Sequence, residues 1–470
     1  MDMKKICYVF AFLAVIALAA GCKKPEKAKS KVGGLLNFTI LMEDQEYKAD
    51  TQGPYEPGAD IIVHIPSTYE NPTDLTALEC YASFANNCYA DPYIPAVCDF
   101  SKPVPVTVVN ADGVAQTNNI VVKYAYPRIK MTPVWQKTST ELGLSYHFQM
   151  NLAADEQYLY IIDTQQNNGK TVKVYDRLTG TFVKDLPDLP GVCYVDVHVD
   201  DAGNLVATRF NLYNAGFRME VYNPGSGQWQ RKIDHVKSET LTVPENLGWK
   251  ASVCGDVNGN AYVYATIRGS FEYYEWKIVD GVVTEDSPRK KNVAAVEPTS
   301  SSSTVMVLRE SASDDSDIWY SVEGGNVAGS GSYFHCVTAD YDQIPVSIEN
   351  FGHRVQNAKV FSLKEDKWMA VAGSGAAFSY SGSHLAVFDV TKKDNYSMVP
   401  SDSGYAFDFR LFKEPGINGQ CTARTSGLDV WADRSANEAY IYYANASKGL
   451  GDEKDLPNSV VQCYKLTYSE

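Results

Sequence analysis

One short pattern recurs along the chain: a run of Asp, Gly and Asn residues followed by a strand rich in Tyr and Val. It occupies residues 153–163, 200–210, 255–267 and 432–443. After it come a loop and another strand that ends at a turn, as at residues 172–180, 219–227 and 384–389. Strands and turns that repeat roughly every 45–60 residues are typical of the blades of a β-propeller. The pattern predicts an architecture, but it does not identify a ligand.

Size and composition agree with a β-rich chain of more than one domain. The chain has 470 residues, which is too long for one ordinary core and favours two domains or a large repeat array. Aromatic residues make up 12% and charged residues only 21%, a mixture that favours half-buried strands over helices. The net charge of −15 argues against nucleic-acid binding, which needs clustered Lys and Arg.

The repeat region predicts a β-propeller over residues 131–470. We expect six blades, at residues 144–186, 191–233, 248–284, 293–348, 355–398 and 425–468. A count of seven blades is the alternative, because residues 401–419 and the long fourth segment could contain weak strands. The last blade shows three clear strands, so residues 134–136 are expected to supply its fourth strand and leave no free sheet edge. Residues 126–133, with Pro127 and Pro133, are interpreted as a linker.

The N-terminus predicts an export signal. Lys4 and Lys5 precede an apolar run at residues 6–20, which is too short to span a membrane and is typical of a signal peptide. Residues 18–22 resemble a bacterial lipobox, in which the Cys is acylated and becomes the first residue of the mature chain. The resemblance implies that Cys22 carries a lipid, that residues 1–22 are the signal and that the partner is a membrane. Residues 23–31 then form a basic tether. The alternative is a plain signal peptide with a chance Cys.

Residues 32–130 predict a separate small β domain. Short strand-like segments alternate with turn-rich ones, and residues 111–113 form a strong hairpin signal. About 100 residues of this kind indicate an immunoglobulin-like (Ig-like) β-sandwich. The fold class expected for the whole chain is therefore all-β, with an Ig-like sandwich followed by a propeller.

The end of this domain also carries a resemblance. Residues 99–104, 106–108, 111–113 and 120–122 resemble the closing half of small Ig-like domains in lipidated envelope proteins of gut-type Gram-negative bacteria. In those proteins a domain of unknown function precedes a propeller or a glycan-binding domain. The resemblance implies an outer-membrane lipoprotein, with the surface or periplasmic face left open, and a domain that serves as a spacer. Residues 80–98 depart from the usual pattern.

Motifs for catalysis or cofactor binding are not found. The ten Cys show no zinc-binding spacing, and those scattered through the repeats lie in apolar strand contexts that favour burial. Residues 256–260 resemble the start of a calcium loop, but Ile267 stands where the closing Glu belongs, so a turn is the better interpretation. We therefore predict no metal, no cofactor and no catalytic residue.

The candidate binding site is the mouth of the propeller channel. We expect the loops between the second and third strands of each blade, and those that enter the innermost strand, to share one face around it. Aromatic rings beside guanidinium groups in such a mouth would suit a sugar, whose C–H faces lie on rings while its hydroxyls bind charged groups. The alternative is that the rings are blade packing and that each Arg pairs with acidic neighbours. The candidate residues are Tyr146, Tyr194, Arg209, Trp249, Arg268, Arg309, His353 and Arg354.

Three functions fit these features. The first is a lipid-anchored binding protein that captures a glycan or another extracellular ligand. The second is a scaffold that contacts other envelope proteins. The third, ranked last, is a propeller glycosidase or lyase that uses carboxylates on the channel face, because the separation of such carboxylates cannot be determined from sequence.

Overall fold

The chain is all-β, as predicted. The computed structural model describes residues 34–42, 45–67, 72–125, 129–145, 151–164, 169–293, 305–322, 333–338, 343–345, 354–374, 383–396, 410–413, 427–433, 435, 437–445 and 460–468. Regular structure in these residues is β-strand, apart from one turn of 3-10 helix, Lys393–Asn395. Among them we find no helix long and apolar enough to cross a membrane. The chain divides into two compact units, residues 1–125 and 126–470.

In its described residues, the first unit contains two four-stranded sheets. Its strands are β1 (Leu35–Met42), β2 (Gln45–Lys48), β3 (Asp60–Pro66), β4 (Leu78–Phe84), β5 (Tyr89–Ala90), β6 (Ala96–Cys98), β7 (Val104–Val109) and β8 (Ala115–Ala125). One sheet has the order β2-β1-β4-β6 and the other the order β3-β8-β7-β5. Strand β3 pairs with β8 in parallel, whereas the remaining pairs are antiparallel.

Alternation of apolar residues explains the core of the first unit. Ile61, Val63 and Ile65 on β3 are buried, and the residues between them are not, because successive side chains of a strand point to opposite faces. Phe38 and Phe100 meet edge to face with their ring centroids 6.1 Å apart. Both rings are almost completely buried, so the sequence places its largest apolar side chains where they remove most surface from water.

The second unit is built from six four- or five-stranded sheets within the described part of the chain. The first three contain β10 (Leu152–Ala154), β11 (Tyr158–Asp163), β12 (Thr171–Asp176) and β13 (Phe182–Asp185); β14 (Tyr194–Val199), β15 (Leu205–Arg209), β16 (Phe217–Asn223) and β17 (Gln228–His235); and β18 (Leu247–Gly255), β19 (Ala261–Ile267), β20 (Glu272–Val279), β21 (Val282–Val283) and β22 (Arg289–Asn292).

The other three sheets follow in chain order, except for one strand that comes from the start of the unit. They contain β23 (Val305–Arg309), β24 (Ile318–Val322), β25 (Tyr333–Val337) and β26 (Gln343–Pro345); β27 (Arg354–Leu363), β28 (Asp366–Ser374), β29 (Ser383–Asp389) and β30 (Arg410–Lys413); and β31 (Gly427–Asp433), β32 (Glu438–Asn445), β33 (Val460–Tyr468) and β9 (Ile129–Thr138). Strand β30 lies in the stretch 401–419 that the sequence analysis left open, and it completes the fifth sheet.

The sheets of the second unit are arranged in a ring of β-propeller type. The first strand of each sheet contacts the first strand of the next, from β10 through β14, β18, β23, β27 and β31, and β31 contacts β10 again. Each pair of consecutive sheets also shares its own hydrophobic cluster. Trp276, Trp319 and Trp368 are almost completely buried in three of these clusters. Sheet-on-sheet packing between neighbours therefore replaces a single central core.

The sixth sheet joins the two ends of the unit, which confirms the prediction that residues 134–136 supply its last strand. Strand β9 pairs antiparallel with β33, with Gln136 opposite Gln462 and Trp135 opposite Cys463. The interpretation of residues 126–133 as a linker is wrong for most of its length. Strand β9 begins at Ile129, and Pro133 lies within it opposite Tyr464. Proline is tolerated here because β9 is the last strand of its sheet.

The recurring Asp-rich pattern forms the turns between first and second strands. The Asp200 carboxylate accepts the backbone N–H groups of Ala202 and Asn204 at 3.0 and 2.7 Å. The Asp155, Asp256 and Asp433 carboxylates accept backbone N–H groups in the same way. Asp256 is therefore a turn residue, which confirms the turn prediction for residues 256–260. All these turns lie at the end of the ring where the innermost strands finish.

The scattered cysteines of the second unit behave as small apolar residues. Cys193, Cys254, Cys336 and Cys463 are buried and unpaired, which agrees with the expectation from their strand contexts. Cys421 and the predicted lipid carrier Cys22 lie outside the described residues.

Candidate functional site

Arg209 and Arg268 lie at the predicted mouth, because each stands at or just after the end of a second strand. Arg209 ends β15, and Arg268 follows β19. Arg209 is only 4% exposed, and its Nε donates to the carbonyl oxygen of Gly216 at 3.2 Å. Burial lowers the pKa of the Arg209 guanidinium. This side chain therefore holds its own loop, and little of it is open to a ligand.

Trp249 and Arg268 are two predicted residues whose side chains are in contact at this mouth, and Tyr194 and Arg209 lie opposite each other on β14 and β15. The guanidinium carbon of Arg268 lies 4.6 Å from the centroid of the Trp249 ring, and Phe210 meets the same ring edge to face at 6.1 Å. Arg268 is exposed, whereas Trp249 is buried beneath it. The guanidinium and Phe210 thus cover much of the ring that the sequence analysis assigned to a sugar.

Tyr194 is a packing residue, which corrects its placement in the candidate site. The side chain is completely buried at the start of β14, and its hydroxyl donates to Oε1 of Glu220 at 2.8 Å. Arg231 donates to the same oxygen at 3.0 Å. Burial, with the Glu220 carboxylate beside it, raises the pKa of the Tyr194 hydroxyl. Tyr194 satisfies a buried carboxylate, so its hydroxyl does not face the channel mouth.

Arg309 lies at the opposite end of the ring, so its grouping with Arg209 and Arg268 is wrong. It ends β23, which is the innermost strand of its sheet and not the second. Its guanidinium lies 4.2 Å from the Tyr262 ring centroid and donates to the Tyr264 hydroxyl at 3.2 Å. The sequence pattern places residues 305–309 in the second strand of the fourth repeat, whereas they form its first strand.

The remaining predicted residues are placed only in part. Tyr146 and His353 lie outside the described residues. Arg354 begins β27, and only its backbone is described. The structure therefore leaves their predicted part in a binding site as a prediction.

A large pocket opens at the other mouth, beside the Asp-rich turns. Its volume is about 1030 Å³, which is at the upper end of the range for small-molecule sites. The turn after β10, the turn after β14 and the ends of β27 and β31 form its walls, and it extends outward between the first and second sheets. We call it the mouth pocket. Its side chains include Asp155, Glu156, Tyr158, Tyr160, Lys184, Asp200, Asp201, Tyr222, Glu310, Lys359, Phe361, Lys367, Asp429 and Trp431.

Half-buried aromatic rings line one side of the mouth pocket. Tyr158 and Tyr160 meet edge to face with centroids 6.2 Å apart, and the Tyr160 hydroxyl donates to Asp155 at 2.5 Å. Tyr222 extends from the end of β16 and leans on Trp229. Burial and the Asp155 bond raise the pKa of the Tyr160 hydroxyl, so it stays a neutral donor. The rings are fixed before any ligand arrives.

An ion pair forms the floor of the mouth pocket. Lys359 Nζ lies 3.2 Å from Asp429 Oδ1, and the other carboxylate oxygen accepts the backbone N–H of Ala154 at 2.8 Å. The nearby Asp429 carboxylate raises the pKa of Lys359. Because Lys359, Asp429 and Val199 line both spaces, the floor separates the mouth pocket from a smaller cavity deeper in the channel.

The deeper space, which we call the inner cavity, is small and polar. Its volume is about 50 Å³, enough for a few water molecules or one small group but not for a sugar ring. Asp196, His198 and Lys250 line it, and His198 Nε2 lies 3.8 Å from Asp196 Oδ2. Burial lowers the pKa of His198 and favours the neutral imidazole. Asn151 also lines this cavity; its Nδ2 donates to the Val195 carbonyl, and its Oδ1 has no partner among the described residues.

The arrangement suits non-covalent binding of a polar ligand. Fixed rings, carboxylates and ammonium groups converge on one concave space, as in small-molecule sites. Among the described residues, no three His, Cys, Asp or Glu side chains are grouped as metal ligands.

The mouth pocket was not predicted, because the Asp-rich runs at residues 153–163 and 200–210 indicate turns without showing where those turns converge. A usable signal was present: Tyr158 and Tyr160 follow one Asp turn at alternate positions, and Trp431 stands just before another. Alternating aromatics beside a repeated turn place rings on one side of several blades at once.

No family model and no curated protein matches this chain. Solved structures are similar to it at low identity. A subtype N10 neuraminidase-like protein of A/little yellow-shouldered bat/Guatemala/060/2010 has a TM-score of 0.41 and 9% identity, covering 72% of this chain and 98% of its own. A mutant of AofleA from Arthrobotrys oligospora has a TM-score of 0.42 and 7% identity, with coverage of 68% and 84%. TolB from Acinetobacter baumannii has a TM-score of 0.35 and 9% identity, with coverage of 68% and 64%.

Proposed function

We propose that this chain is a lipid-anchored protein of the cell envelope that binds a glycan in the mouth pocket. The observation that carries the proposal is the convergence of Tyr158, Tyr160 and Tyr222 with carboxylates around a space of about 1030 Å³. Sugars present apolar C–H faces and many hydroxyls, so they need ring surfaces and charged acceptors together. The mouth pocket offers both, whereas Trp249 at the other mouth is largely covered.

The architecture proposed with this function has three parts. Cys22 carries the lipid, the first unit is an Ig-like spacer, and the six sheets of the second unit are the complete set of blades. The pairing of β9 with β33 supports six blades, because it joins the sheet at the end of the chain to the start of the unit. This arrangement resembles lipidated envelope proteins of gut-type Gram-negative bacteria, and an outer-membrane location goes with it.

Calorimetry against a panel of oligosaccharides tests the function. We expect at least one oligosaccharide to bind, and Tyr222→Ala to weaken that binding by roughly two- to tenfold, because a stacked ring contributes about 0.5–1.5 kcal/mol. Tyr213→Ala is the matched control. Tyr213 is 81% exposed in the loop between β15 and β16, at the opposite end of the ring.

The same pair of variants separates the two mouths. A loss of affinity in Tyr213→Ala with none in Tyr222→Ala would place the ligand at the mouth chosen from sequence. No binding to any oligosaccharide would contradict the proposed function, and co-purification with a membrane protein would then favour the scaffold.

A further inference from the structure

We infer that the mouth pocket selects a saccharide that carries a free amino group, an inference that rests on the proposed glycan binding. Its lining contains six carboxylates and three ammonium groups. The carboxylates belong to Asp155, Glu156, Asp200, Asp201, Glu310 and Asp429, and the ammonium groups to Lys184, Lys359 and Lys367. The balance is negative.

Ion pairs neutralise only one side of the mouth pocket. Lys359 pairs with Asp429 at 3.2 Å, and Lys367 pairs with Glu310 at 2.5 Å. These two pairs lie on the side of the fourth, fifth and sixth sheets. The opposite charges within each pair largely cancel, so at a distance the two pairs attract neither a cationic nor an anionic ligand.

The side formed by the first two sheets keeps a net negative charge, because four carboxylates line it against the single ammonium group of Lys184. Asp155 and Asp200 bind backbone N–H groups of their own turns, and Asp201 accepts the N–H of Gly255 at 2.8 Å. These donors are neutral dipoles, so they hold the carboxylates in place without cancelling their charge. Among the described residues, no Lys or Arg lies within ion-pair distance of Asp155, Glu156, Asp200 or Asp201.

The aromatic rings on this side add to the attraction. Tyr158, Tyr160 and Tyr222 stand among the four unpaired carboxylates. The face of an aromatic ring is negative and attracts an ammonium group, as in the aromatic cages that bind organic cations. A protonated amino sugar can therefore place its ring on a Tyr and its charge near a carboxylate. A uronic acid would meet repulsion from both.

The test compares three oligosaccharides of equal length by calorimetry: a glucosamine oligomer, its N-acetylated form and an oligogalacturonide. The pH is held at about 6, where the amine is protonated. We expect the glucosamine oligomer to bind on the order of tenfold more tightly than the N-acetylated form at low salt, because several carboxylates lie within one Debye length. The oligogalacturonide should bind most weakly, and added salt should reduce the difference.

Charge-removing variants assign the preference to the mouth pocket. Glu156→Gln combined with Asp201→Asn keeps the shapes of both side chains and should lower the preference for the amine by roughly threefold or more. Glu239→Gln combined with Glu245→Gln removes the same charge from the exposed segment between β17 and β18, at the other end of the ring. This control should leave the preference unchanged. Circular dichroism checks that both variants are folded.

Each outcome supports or overturns the inference. Equal or tighter binding of the oligogalacturonide, or of the N-acetylated form, overturns the amino preference while the proposed glycan binding stands. An equal effect of both double variants overturns the assignment to the mouth pocket. The absence of binding by all three oligosaccharides and the neutral panel overturns the proposed function and the inference with it.

Discussion

His235 is a buried imidazole whose effect on the free energy of unfolding of the protein depends on pH. Its ring lies 5.7 Å from Tyr274 and 5.6 Å from Trp276, measured between centroids, and its Nε2 has no partner among the described residues. Burial lowers the pKa of His235. Below about pH 6.5 the unfolded chain therefore binds a proton that the folded chain does not, so the free energy of unfolding falls as the pH falls.

We expect His235→Gln to reduce this pH dependence by up to about 1.4 kcal/mol per pH unit below the ordinary pKa of His, because Gln does not titrate. Urea unfolding of both proteins at about pH 7.5 and about pH 5.5, followed by fluorescence, measures the change. The variant will be less stable than the wild type at the higher pH, but its loss on acidification should be smaller. Equal losses in the two proteins would show that another group accounts for the acid sensitivity.

At the residue scale, sequence identifies the chemistry of a side chain but not its burial. Tyr194 and Arg268 look alike in sequence as polar or aromatic residues beside a strand end. The first is completely buried on Glu220, and the second is exposed over Trp249. The difference depends on neighbours from other parts of the chain, which a single sequence does not specify. The partner Glu220 is 26 residues from Tyr194 along the chain.

At the scale of elements, the pairing of β9 with β33 joins the two ends of the second unit. Gln136 and Gln462 lie directly opposite each other, and their side-chain amides are hydrogen-bonded at 2.9 Å. Directly opposite residues bring their Cβ atoms close to the separation that a disulfide needs. The double variant Gln136→Cys, Gln462→Cys should therefore form a cross-strand disulfide under mild oxidation.

We expect the oxidised double variant to be about 2–4 kcal/mol more stable than its reduced form, because the bond closes a very long loop and restricts the unfolded chain. Thermal and urea unfolding with and without a reductant measure this difference. Gln136→Cys alone is the control and should show no such dependence. A double variant that stays reduced under mild oxidation would contradict the pairing of β9 with β33.

Strands were predictable where the sequence repeat that contains them is clear. The closing strand was predicted because the last repeat shows only three strands, and a fourth had to come from elsewhere. The linker interpretation failed because Pro133 normally interrupts a strand, and sequence does not show that β9 is an outermost strand where proline is tolerated. In the fourth repeat the strand order was shifted by one, which moved Arg309 to the wrong end.

At the scale of the whole molecule, the ring was predictable and the pocket at its mouth was not. The repeat period alone favours a propeller, because each blade needs neighbours to cover its apolar faces. The volume of a channel mouth depends on which side chains project there from six sheets at once. Asp155 and Asp200 were correctly assigned to turns, but their convergence with Tyr222 requires the ring to be closed. The inner cavity is set by the same convergence.

The proposed lipid anchor on Cys22 leads to a prediction for the whole molecule. A lipid on Cys22 would add about 0.8 kcal/mol of membrane affinity for each buried CH₂, so several acyl chains make the anchor effectively permanent.

In a Gram-negative host, we expect the wild-type protein to partition into the detergent phase of a cell extract and Cys22→Ser to move to the aqueous phase. Cys7→Ser is the matched control, because Cys7 lies within the predicted signal and is removed with it. Since residues 23–31 are polar and the described part of the chain contains no membrane-spanning helix, the lipid is the one anchor proposed. Retention in the detergent phase of a Cys22→Ser protein that has lost residues 1–21 would therefore rule out Cys22 as the attachment point and place membrane binding on the folded units themselves.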